Sequence, residues 1–201
     1  MKVNYKLLSF LLFVVVKINA QTTPIKVVVE EIPNRLAFYA LNGNEQDFDV
    51  QIAISGTNFR QSKARPRWVR LPGASKVLLK TVVLTRGKTP NYTYKLKVND
   101  SLSRRALIKE FEAIKIKPKK SIAVYITDAC TTCDSIVMPL EKSKYLFKRY
   151  KLSEHPEIKK QIKHAFATTL DSIKKPILNI GGRLHTDIET YDKLLEELNK
   201  K

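Results

Sequence analysis

Cysteine is nearly absent from this 201-residue chain: the two that occur, Cys130 and Cys133, share one CxxC stretch. A disulfide framework spread along the chain, the usual support of small secreted folds, is therefore excluded. Long apolar runs are scarce as well. Residues 7–16, broken only by Ser9, form the one candidate, about half the ~20 residues that a spanning helix takes. With no second run of spanning length, the rest of the chain is expected to be soluble and not membrane-spanning. No cysteine lies near Ala20 to carry a lipid, so a bacterial lipoprotein is not expected. There is no glycine-rich phosphate loop, no serine nucleophile elbow and no HExxH pair, which removes the commonest sequence signs of nucleotide, acyl-transfer and zinc-protease chemistry.

What is present begins with Lys2 and Lys6, then the apolar run, then Ile18-Asn19-Ala20 before Gln21. Charged, greasy and small residues in that order predict a signal peptide over residues 1–20 and an exported protein, periplasmic or secreted. Basic residues number 37 against 19 acidic, a net charge of +18. Such a balance suits anionic partners. The charges are spread along the chain, with clusters only around Trp68 and at 115–120, and an exported protein rarely meets nucleic acid. No nucleic-acid partner is expected.

Residues 25–98 alternate with period two. Strands are predicted over 25–32, 36–41, 48–54, 76–85 and 92–98, separated by Pro33-Asn34, Asn42-Gly43-Asn44, Pro72-Gly73 and residues 87–91. Short strands without intervening helices predict an all-β immunoglobulin-like sandwich over 21–114. It reads as an accessory domain able to dock an envelope protein, with no His, Cys or acidic cluster of its own. Leu102, Ala106, Ile108 and Phe111 suit either a helix or further strands of the sandwich. Lys115-Ile116-Lys117-Pro118-Lys119-Lys120 reads as a basic linker.

From 121 to 201 the pattern changes to strands alternating with helices. Residues 122–126 are almost wholly apolar, as in a strand covered on both faces. A helix is predicted from about Cys133, and a second strand over 145–152. A second helix from Pro156 carries Ile158, Ile162, Ala165 and Phe166. A hairpin over 176–186 turns at Gly181-Gly182, and Thr186 with Glu189 makes a capping box for a last helix. Cys130 falls just before a helix, where free backbone N–H groups and the helix dipole favour a thiolate, and Cys133 falls in its first turn. A four-residue loop restrains an unfolded chain little. The pair is therefore predicted to be redox-active, with Cys130 as nucleophile and Cys133 as resolving thiol.

The strand Ala123-Val124-Tyr125-Ile126-Thr127 running into Cys130-Thr131-Thr132-Cys133, with Lys175-Pro176-Ile177-Leu178-Asn179-Ile180 opening a hairpin before a closing helix, resembles a glutaredoxin-like member of the thioredoxin superfamily. The resemblance spans residues 122–198 and leaves the N-terminal half outside. It implies a C-terminal α/β thioredoxin fold and a cis proline at Pro176 facing the cysteines. It also implies a substrate-binding surface at Thr127, Lys175 and Pro176. Two departures stand out. Many glutaredoxins place a basic residue where this chain has Asp128, whose carboxylate disfavours a Cys130 thiolate, an effect that Lys175, next to Pro176, is expected to offset. The Gly-Gly pair of glutathione-binding members is missing from the start of the last helix. A protein dithiol or disulfide partner is therefore expected rather than glutathione, and no cofactor. The other readings are copper or zinc transfer through the CxxC pair and a non-catalytic interaction module. His155, His164 and His185 lack zinc-finger spacing to the cysteines.

Overall fold

A computed structural model describes residues 24–166 and 169–200. The candidate signal peptide lies outside the described residues. The N-terminal part begins with β1 (Lys26–Ile32), β2 (Arg35–Asn42), β3 (Phe48–Thr57), β4 (Phe59–Arg60) and β5 (Val69–Leu71). It continues with β6 (Ser75–Leu84), β7 (Asn91–Asn99) and β8 (Phe111–Ala113). One antiparallel sheet runs β1-β2-β6-β4 with β8 also on β6; the other runs β5-β3-β7. Alternation decides which side chains go inward. Val50, Ile52 and Ile54 of β3 and Phe38 of β2 enter one core with Leu71, Val77 and Val82, while Gln51 and Ala53 turn outward. Residues 100–120 form no helix among the described residues. Leu107 bridges to Val69 and Phe111 joins β8, leaving Ile108 85% exposed.

The C-terminal part contains β9 (Ile122–Ile126), α1 (Asp134–Lys142), β10 (Lys148–Lys151) and α2 (Pro156–Lys163). It ends with β11 (Ile177–Ile180), β12 (Arg183–His185) and α3 (Tyr191–Asn199). Its sheet is ordered β10-β9-β11-β12, with β10 parallel to β9 and the other pairs antiparallel. Gly181 and Gly182 adopt φ of 60° and 92° between β11 and β12, the left-handed geometry of a two-residue hairpin turn. Ile122 and Val124 of β9 pack with Ile136, Leu140, Leu194 and Leu198 on one face. Tyr125 packs with Leu152, Ile162, Leu170 and Ile177 on the other.

The expectation of an immunoglobulin-like sandwich followed by an α/β thioredoxin fold is corrected by this architecture. Of the described residues, strand accounts for 41% and helix for 17%, in several sheets with three α-helices, and the C-terminal part is a β-rich region. Its helices are only nine, eight and nine residues long. Ala165 and Phe166, expected on the second helix, lie beyond the end of α2. Glu189, expected in a capping box, pairs instead with Lys175, and α3 starts only after Thr190, whose hydroxyl accepts from the Lys193 N–H. No peptide bond among the described residues is cis, so Pro176 does not carry the isomer that the glutaredoxin resemblance implies.

The two parts also share packing. Ala74 sits in the C-terminal core, and Ile116, within the stretch read as a linker, is 3% exposed in that same core. Ile116 accepts from the Leu146 N–H at 2.8 Å, and its own N–H donates to the Lys144 carbonyl at 2.8 Å. The Tyr145 hydroxyl donates to the Glu45 carboxylate at 2.6 Å. Within the N-terminal part, Gly73 lets the backbone at Glu45 come close, since a Cβ there would lie 2.1 Å from the Glu45 carbonyl oxygen. Among the described residues no helix is long and apolar enough to cross a membrane.

Candidate functional site

The chain leaves β9 through Thr127 and turns at 128–129 before meeting the helix. Cys130 donates its N–H to the Thr127 carbonyl at 3.1 Å, closing that turn. Cys133 occupies the N-cap position of α1, and its carbonyl accepts from the Ile136 and Val137 N–H groups at 3.2 and 3.0 Å. The Cα atoms of Cys130 and Cys133 are 5.9 Å apart and their sulfurs form a disulfide. Exposure differs between them: Cys133 is 6% exposed, whereas Cys130 is partly open to solvent. This asymmetry is built by the helix. Residue 133 faces the core ahead of Ile136 and Val137, and residue 130 stays in the preceding loop.

A second loop closes on the first. Thr127, 3% exposed, donates its hydroxyl to the Ile173 carbonyl at 2.6 Å. The Thr131 N–H donates to the Lys174 carbonyl at 3.0 Å. These two bonds hold residues 173–175 against the CxxC loop, immediately before buried Pro176. All five residues singled out from the sequence (Thr127, Cys130, Cys133, Lys175 and Pro176) thus fall on these two loops or at their ends.

The electrostatic surroundings differ from the sequence expectation. Lys175 is not free to offset Asp128, because its ammonium pairs with the Glu189 carboxylate. That hydrogen bond, reinforced by the charge of Lys175, holds Glu189 below the usual carboxylate range. Asp128 accepts from the Ser153 hydroxyl at 2.8 Å. Ser135 donates from one hydroxyl toward the Thr132 and Glu189 carbonyls, at 2.7 and 2.8 Å. Ser135 was not picked out from the sequence, and Glu189 was read only as a helix-capping residue. The Ser135–Glu189 bond joins positions 54 residues apart and the Lys175–Glu189 pair positions 14 apart, and no short-range pattern marks either.

The histidines do not converge on the thiols. His155 packs edge-on against Tyr150 and lies 3.5 Å from Glu157, while His185 lies 3.9 Å from Asp187. Among the described residues no three His, Cys, Asp or Glu side chains cluster closely enough to hold a metal ion. No family model, curated protein or solved structure matches this chain.

Proposed function

We propose that this protein is an exported thiol–disulfide oxidoreductase that acts on protein disulfides through Cys130 and Cys133. The unequal exposure of the two cysteines carries the reading. A substrate can reach Cys130 from solvent, and buried Cys133 is left to act within the molecule. In the reduced protein the Cys130 thiolate attacks one sulfur of a substrate disulfide. A mixed disulfide forms, the substrate S–S bond breaks, and the departing substrate thiolate takes up a proton. Cys133 then gives up its proton and attacks Cys130 Sγ. This releases the second substrate thiolate and leaves the Cys130–Cys133 bond oxidised. An external dithiol restores the reduced pair. In the opposite direction the same bond oxidises a substrate dithiol.

Loop 173–176 forms the neighbouring wall, with Thr127 bracing it from beneath and exposed Lys175 flanking buried Pro176. A protein substrate is favoured over glutathione because Gly181-Gly182 belongs to the β11–β12 turn. Export rests on the basic, apolar and small-residue order of residues 1–20.

The test is dithiothreitol-dependent reduction of insulin by the purified protein beside Cys130→Ser and Cys133→Ser. Loss of activity in the first variant and a trapped mixed disulfide in the second are the expected results. A wild-type protein that does not accelerate insulin reduction overturns the proposal.

A further inference from the structure

The thiol chemistry uses one end of β9 and leaves its other end, together with the basic stretch before it, without a role. On the face where Ala123 and Tyr125 point away from α1 and α3, α2 packs on Tyr125 through Ile162 but lines no part of the open end next to Ala123. A groove of about 600 Å³ lies there, within the usual range for a small-molecule site. Ala123, Tyr125, Phe147 and Tyr150 give it an apolar, mainly aromatic lining. The Tyr125 and Tyr150 rings stack at 5.7 Å between centroids, 18° from parallel.

The charged residues around this groove are of one sign. Lys117, Lys119 and Lys148 line it, and no acidic side chain does. All three are exposed, and none has an ion-pair partner among the described residues. Their neighbours in the same basic stretch are engaged. Lys115 donates to the Glu141 and Ser143 carbonyls at the end of α1, and Lys120 donates to the Glu197 carbonyl of α3. Lysines 115 and 120 thus complement helix C-termini, whereas 117, 119 and 148 converge on open apolar space.

We infer that this groove binds a small aromatic anion, a flat ring system bearing a carboxylate or sulfonate. The tyrosine pair and Phe147 supply ring faces and edges for the flat body, and the three ammonium groups meet the negative head. A cation of the same shape meets uncompensated repulsion. The net charge of +18 raises the local concentration of anions around the whole molecule, so the test must separate that general effect from the groove.

The probe is 1-anilinonaphthalene-8-sulfonate, with 2-naphthoate and 2-naphthylmethylammonium as competitors. Wild-type protein is compared with Lys117→Glu/Lys119→Glu/Lys148→Glu and with Lys63→Glu/Arg65→Glu/Arg67→Glu. The second triple carries the same change of charge on the exposed loop near Trp68. The fold of each is checked by its thermal melt. Saturable dye binding is expected, displaced by the naphthoate and not by the ammonium. The groove triple weakens it about tenfold or more, and the loop triple leaves it within about twofold. Equal weakening in the two triples, equal displacement by the cation, or no saturable binding at millimolar dye overturns the inference.

Discussion

In the N-terminal part, Asn42, Asp49 and Ser75 are buried and each fastens a turn or a neighbouring segment. In the C-terminal part, Thr127 does the same work for the two loops that carry the disulfide. Asn42 donates to the Gln46 and Pro72 carbonyls at 2.7 and 2.9 Å and accepts from the Asn44 N–H at 3.0 Å. Asp49 takes the Arg70 guanidinium on one oxygen and the Ser103 N–H on the other. A buried polar group is costly unless its hydrogen bonds are met. Each of these positions is therefore tied to one geometry. The difference lies in what the geometry holds: three of the four lock a frame with no reactive group, and the fourth sits beneath partly exposed Cys130.

The largest effect is expected from Asp49→Ala. It leaves Arg70, whose side chain is 23% exposed, without its carboxylate and with only the Ser103 carbonyl to donate to, and costs about 3–5 kcal/mol in denaturant unfolding. If the frame is only a frame, the variant, studied under conditions where it stays folded, keeps its rate of disulfide reduction by dithiothreitol within about twofold of wild type. A larger change would break the contrast between the two parts.

Ile116→Ala probes the joint. Its side chain lies in the C-terminal core although it belongs to the stretch read as a linker. Truncation should cost about 2–4 kcal/mol. A cost near zero would show that the two parts do not depend on this packing.

Thr127→Val is smaller in stability and sharper in function. Loss of the bond to the Ile173 carbonyl should cost about 1–2 kcal/mol, measured by chemical denaturation. Unlike Asp49→Ala, it should change the rate of Cys130–Cys133 reduction, because residues 173–175 lose their anchor.

Tyr145→Phe gives the smallest change at neutral pH, about 1 kcal/mol for the lost bond to Glu45. Its signature is alkaline. Burial, and then the hydrogen bond to the Glu45 carboxylate, push the Tyr145 hydroxyl well above its usual range. The unfolded chain loses that proton near pH 10 while the folded protein retains it. The contribution of this hydroxyl is therefore complete below pH ~10 and declines as pH rises above it. Stability measured from pH 8 to 11 should fall less steeply in the variant.

How much of this was legible varies with the range of the interaction. The strand predicted over 48–54 is β3, extended to Thr57, and that predicted over 92–98 is β7, longer by one residue at each end. In both, the alternation of apolar and polar residues is a local signal of a half-buried strand. The break at Pro33-Asn34 is likewise a turn, with Asn34 at φ 62°, a conformation that asparagine tolerates. The helix ends were less legible. Nothing near Glu189 announces Lys175, and nothing near Phe111 announces Val77, its partner in β8–β6 pairing.

The sequence by itself determined the alternating strands, the turn residues, the single CxxC pair ahead of a helix and the strongly basic surface. Each is read from residue types a few positions apart. Only the tertiary structure decided that the chain is mostly β, that Ile116 is core, and that loop 173–176 closes on the cysteines. It also left Lys117, Lys119 and Lys148 around an open aromatic groove. Those outcomes turn on which buried surfaces and polar groups find partners far along the chain, and the energy of such a pairing is not written in either segment alone.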